Sequence, residues 1–70
     1  MEDVRSILAR NLRLARNEAG ISQEELADLA GVDRTYVSGI ERGIRNPSIE
    51  IVARFAMTLG TTASQLLNAG

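Results

Sequence analysis

The side chains best suited to chemistry in this 70-residue chain gather between positions 33 and 46, and they suit recognition rather than catalysis. Asp33-Arg-Thr-Tyr-Val-Ser38 opens a short helical pattern. Arg34 carries a planar fork of donors that matches O6 and N7 of guanine, and Thr35 combines a hydroxyl with a methyl that can touch thymine. Ser38 lies one turn further on the same side. The leading turn of such a helix is the part that can enter a DNA major groove, so these three are the expected base contacts. Phosphate contacts set register without reading sequence, and other polar residues suit that task. Gln23 falls in the first turn of the preceding helical pattern, where unpaired N–H groups and the helix dipole favour an anion. Arg42 ends the reading stretch, and Arg45 with Asn46 follows in a loop. Tyr36 either meets the sugar–phosphate backbone or lays its ring over the preceding helix.

Composition removes most alternatives. With no Cys and no His, the chain offers no disulfide, thiolate, zinc-finger or imidazole chemistry. It also lacks a glycine-rich phosphate loop and a plausible carboxylate pair, so no enzyme, metal, cofactor or small-molecule ligand is expected. A net charge of −1 argues at first against a polyanionic partner, but distribution matters more than the sum. All eight basic residues are Arg, four of them at positions 34, 42, 45 and 54, while Glu24, Glu25 and Asp28 gather on one helical face. That acidic face is either ordinary solvated surface or a contact for RNA polymerase. No apolar run approaches the roughly 18 residues of a membrane span, and no signal-peptide pattern opens the chain, so a cytoplasmic protein is expected.

Positioning these residues falls to five helices, an all-α single domain over 1–70. The first runs from about Val4 to Ala19, with Val4, Leu8, Leu12, Ala15 and Ala19 in one apolar stripe and Gly20 as its stop. Ser22 and Glu25 form a capping-box pattern for the second, with Ile21 and Leu26 as its hydrophobic staple. Asp33 caps the third, stapled by Val32 and Val37. Proline at 47 breaks the pattern, and Ser48 caps a fourth helix whose Ile49, Val52, Ala53, Ala56 and Leu59 are expected to face inward until Gly60. Thr62 and Gln65 form a second capping-box pattern for a short helix near 63–68. Across 22–42, Gln23, Ala27, Gly31, Val37 and Ile40 have the spacing of two helices crossing closely about a glycine turn.

Taken together, Leu12-Arg13, Arg16, Gly20 to Ala27, Gly31-Val32, Tyr36 to Gly43, Arg45 to Ser48 and Leu59-Gly60 resemble the lambda-repressor-like helix-turn-helix domain, the Cro/cI or XRE class of bacterial and phage regulators. The stretch Asp33–Arg42 is similar to that of restriction–modification controller proteins, small stand-alone dimers. The resemblance implies sequence-specific binding of double-stranded DNA by a transcription regulator. It supports Gln23, Arg42 and the following loop as backbone contacts. It also implies a partly buried ion pair between Arg16 and Glu41, which are therefore read as structural. Family members often carry a longer polar side chain where this chain has Gly39, which narrows direct readout and leaves more to DNA shape.

A domain of this size buries only about 60% of its unfolded surface and holds a margin of roughly 3–5 kcal/mol, so self-association would help it. One copy also reads few base pairs. A homodimer on a short pseudo-palindromic operator is expected, with half-sites ~34 Å apart. Ile7 and Leu14 fall beside the main stripe of the first helix, and Phe55, Leu66 and Leu67 have undecided partners. Either the last helix covers Ile7 and Leu14 within one subunit, or these residues form a dimer contact through it. The competing reading from another class is an antitoxin or protein-interaction module built on the same fold.

Overall fold

Each helix begins where a short polar side chain takes over an unpaired backbone N–H. The computed structural model describes residues 3–70 and contains α1 (Val4–Ala19), α2 (Gln23–Ala30), α3 (Arg34–Glu41), α4 (Ile49–Leu59) and α5 (Ala63–Leu66). The caps are Asp3, Ser22, Asp33, Ser48 and Thr62, each accepting from an N–H two or three residues on at 3.0–3.3 Å. The two expected capping boxes form through this forward bond only. No return bond from Glu25 or Gln65 to the cap N–H occurs among the described residues. The last helix is shorter than its pattern suggested, because Leu67 already leaves the helical conformation as its C-cap.

Between α2 and α3 the chain must reverse within three residues. Gly31 does this at φ +75°, where any side chain would be strained, and Val32 N–H reaches back to the Ala27 carbonyl at 2.9 Å. This bond closes the end of α2 and directs Asp33 to the start of α3.

The core gathers Leu8 and Leu12 of α1, Leu26 and Ala27 of α2, Val37 and Ile40 of α3, Val52, Phe55 and Ala56 of α4, and Leu66 of α5. Phe55 and Leu66, whose partners the sequence left open, are therefore interior residues, and Ile7 is buried as well. The apolar patch left open as a dimer contact is therefore mostly interior, although Ser64 and Gln65 of α5 are exposed. Of its members only Leu14 stays well exposed, at 54%, while Leu67 packs partly against the core. The inward stripe of α4 also differs from expectation. It runs through Val52, Phe55, Ala56 and Leu59, and Ile49 and Ala53 face out. A helix presents one stripe per 3.6-residue turn, and the burial of Phe55 sets the rotation that turns position 53 away. Val4 and Ala19 are exposed because α1, 16 residues and about 24 Å long, overhangs the core at both ends.

Candidate nucleic-acid interface

The reading helix α3 is held from beneath. Val37 and Ile40 are fully buried, and Glu41 is a buried carboxylate at 3% exposure. Arg16 grips Glu41 with two hydrogen bonds, Nε to Oε2 at 2.7 Å and Nη2 to Oε1 at 3.0 Å. Gln23 Nε2 adds a third at 3.0 Å, and Arg13 donates to the Glu41 backbone carbonyl at 2.8 Å. Arg16 also donates to the Ile21 carbonyl at 3.0 Å, so one guanidinium ties α1 to both the α1–α2 turn and the end of α3. Burial by itself would raise the Glu41 pKa. The hydrogen bonds from Arg16 and Gln23, with the charges of Arg16 and Arg13, outweigh it and hold the carboxyl below its ordinary range. The same hydrogen bond to Glu41 raises Arg16, so both partners stay ionised. The ion pair implied by the family resemblance is thus present, and it fixes where α3 lies.

The opposite face of α3 is open. Arg34 and Thr35 are exposed, and Ser38 one turn on is half-buried. The Arg34 guanidinium makes no hydrogen bond or ion pair with the described residues. Thr35 donates its hydroxyl to Asp33 Oδ1 at 3.1 Å, and the same oxygen takes the Thr35 N–H at 3.0 Å. These two bonds hold the Asp33 carboxyl below its usual range, so the cap stays charged and fixes the Thr35 rotamer with its methyl as the remaining contact surface.

Further along α3 the missing side chain at Gly39 is filled from elsewhere. A Cβ placed there would meet Arg45 Cγ at 2.5 Å. The loop is drawn over this spot by the N–H groups of Ile44 and Arg45, which donate to the Gly39 carbonyl at 3.0 and 3.3 Å. The Arg45 guanidinium comes to rest 5.7 Å from the centroid of the Tyr36 ring, a cation–π contact. Arg42 folds back so that its Nε donates to the Ser38 carbonyl at 3.4 Å.

The fold therefore brings Arg34, Thr35, Tyr36, Ser38, Arg42 and Arg45 together on and beside α3. Asn46 is exposed in the same loop but borders an apolar groove between α1 and α4. Gln23 turns its amide nitrogen inward to Glu41, so what its helix turn keeps for an anion is the backbone N–H groups. The Gly39–Arg45–Tyr36 arrangement was missed at the level of sequence. Its signal was an isolated glycine inside a helical pattern, which often marks a close approach. Among the described residues no cluster could hold a metal ion, and no helix is long and apolar enough to cross a membrane.

A five-helix all-α fold with α2 and α3 joined by a glycine turn defines the class. Residues 12–66 match the family model described as helix-turn-helix, and the chain belongs to that family, in its XRE-type branch of regulators. Among its relatives is a protein of Neisseria meningitidis named a hypothetical transcription factor, 48% identical over 66 residues. That alignment covers 94% of this chain but 62% of the relative, so the chain spans somewhat under two thirds of that protein's length. The crystal structure of the Neisseria factor superposes with a TM-score of 0.91, covering 94% of this chain and 76% of that one. Control protein C.SmaI of Serratia marcescens is 40% identical over 93% of this chain and 77% of its own length. The restriction-modification controller protein C.AhdI of Aeromonas hydrophila gives a TM-score of 0.85 at 40% identity, covering 89% of this chain and 94% of that one.

Proposed function

We propose that the chain is a sequence-reading DNA-binding transcription regulator that works as a homodimer on a short pseudo-palindromic operator. The observation that carries this reading is the first turn of α3, where Arg34 and Thr35 stand exposed while the helix beneath them is clamped by the buried Arg16–Glu41 pair. Arg34 grips a guanine, the Thr35 methyl meets a thymine, and Ser38 completes the base-facing edge. Arg42, Arg45, Tyr36, Asn46 and the α2 N-terminus at Gln23 hold phosphates on either side. The relatives named as control proteins and transcription factors support this assignment. Control of a restriction–modification system is the role within the family closest to this pattern. The reading is non-catalytic and cytoplasmic, with the exposed acids of α2 available to RNA polymerase.

Selection from a pool of random duplexes tests this directly. The expected product is a two-fold site with guanine at one position per half. Failure of the purified chain to enrich any sequence, even at low ionic strength, would overturn the proposal.

A further inference from the structure

Position 39 belongs to the outward stripe of α3, one turn after Thr35 and beside Ser38, yet Gly39 is buried. What covers it is the stem of Arg45. Its Cγ, Nε and Cδ lie 2.5, 3.3 and 3.5 Å from where a Cβ on Gly39 would stand. A side chain from the loop thus occupies the place from which a reading side chain of α3 would otherwise project. From there it leads to Tyr36 and rests its guanidinium 5.7 Å from the ring centroid. Tyr36 lies three residues, about 4.5 Å, nearer the N-terminus of α3 than Gly39, so the group points towards the end that enters the groove. Among the described residues no carboxylate or carbonyl accepts from this guanidinium, which leaves its N–H fork open to a ligand.

Resting on the DNA-binding reading above, we propose that Arg45 is a specificity-determining residue, a second base-reading arginine delivered across the gap at Gly39 to a guanine of its own. This is a finer role than the phosphate contact its loop position suggests. A phosphate asks only for positive charge within reach, and a loosely held side chain supplies that. A guanine asks for the planar fork and a fixed approach. The Gly39 gap fixes the stem, and the Tyr36 ring holds the charge without consuming an N–H donor. The base would differ from the one read by Arg34. At 100° per residue, positions 34 and 39 stand about 140° apart, at opposite margins of the exposed edge. Glycine at 39 therefore widens the reading surface, because any larger residue there would close the path of Arg45.

Binding of the full chain to its selected operator, and to every single-base variant of it, tests the assignment. Each half-site should then show a second specified guanine besides that of Arg34. Arg45→Ala should relax preference at this second position by about tenfold and leave the Arg34 position as selective as before. Arg45→Lys keeps the charge but not the fork, and should relax the same position nearly as far. Tyr36→Leu, with its fold checked by circular dichroism, should relax it by a smaller factor, since the ring only holds the guanidinium. If Arg45→Ala weakens all duplexes alike and Arg45→Lys binds as the original does, Arg45 holds a phosphate and the proposal falls. A specified half-site indifferent to every Arg45 variant overturns this assignment alone. A chain that enriches no duplex overturns the DNA reading, and this assignment with it.

Discussion

Glu41→Gln is the sharpest probe of how the reading helix is held, because it alters charge while keeping shape. The Glu41 side chain is only 2% exposed, and its carboxylate accepts three side-chain hydrogen bonds from Arg16 and Gln23. The neutral amide cannot accept as many, and it leaves the Arg16 guanidinium, on a side chain only 14% exposed, without its counter-charge. Removing one member of a buried pair costs about 3–5 kcal/mol. The low end applies here, because Arg16 keeps the Ile21 carbonyl and the amide keeps one acceptor. A loss of about 3 kcal/mol is most of the margin of a domain this small and should lower Tm by roughly 12–24 °C. Thermal and urea unfolding followed by circular dichroism measure it. The acid limb gives an independent check. The folded-state pKa of Glu41 lies below its ordinary value of 4.5, so its stabilisation is complete above that pH and is lost as pH falls through the lowered value. The unmodified chain should therefore lose stability from about pH 4.5 downwards, and Glu41→Gln should show a shallower acid slope. A variant within about 0.5 kcal/mol of the original, with an unchanged acid limb, would refute the claim that this pair positions α3.

Other outcomes follow from the same geometry. Arg34→Ala should leave unfolding unchanged and relax preference at one base position by about 1–3 kcal/mol, read from binding to a selected operator and its single-base variants. Arg42→Ala should weaken all duplexes alike and reduce the slope of log K against log salt by about one, measured by salt titration. Gly39→Ala should destabilise the chain by about 1–3 kcal/mol, because a Cβ there would meet Arg45 Cγ at 2.5 Å, which outweighs the ~1 kcal/mol that helix propensity favours. The new methyl would displace Arg45 from the Tyr36 ring, visible as a shift in the tyrosine ring proton resonances, and affinity for DNA should fall. Persistence of the ring contact in that variant would contradict the close packing described at position 39.

Much of this architecture was legible from local pattern. The starts at Ser22, Asp33, Ser48 and Thr62 follow from side chains that can bond a nearby N–H, and the stops at Gly20, Gly31 and Gly60 follow from the left-handed conformation they adopt. Those interactions span four residues or fewer, so the chain displays them without any tertiary context. The placement of Arg34 and Thr35 on an open first turn follows from the same cap. The rotation of α4 was not legible. Ile49 and Ala53 fit an inward stripe as well as Val52 and Phe55 do, and only packing against α2 and α5 decides which side turns to the core.

By itself, then, the sequence determined five helices, their ends, the glycine turn between α2 and α3, and the polar edge of the reading helix. Tertiary structure alone decided that Phe55 and Leu66 are interior, that Gln23 faces Glu41, that Arg45 lies over Gly39 and Tyr36, and that Ile49 and Met57 of α4 face out. Capping and helical period act within one or two turns of chain, whereas burial is shared among residues tens of positions apart. A stripe that could pack in two orientations is resolved only when its neighbours are in place.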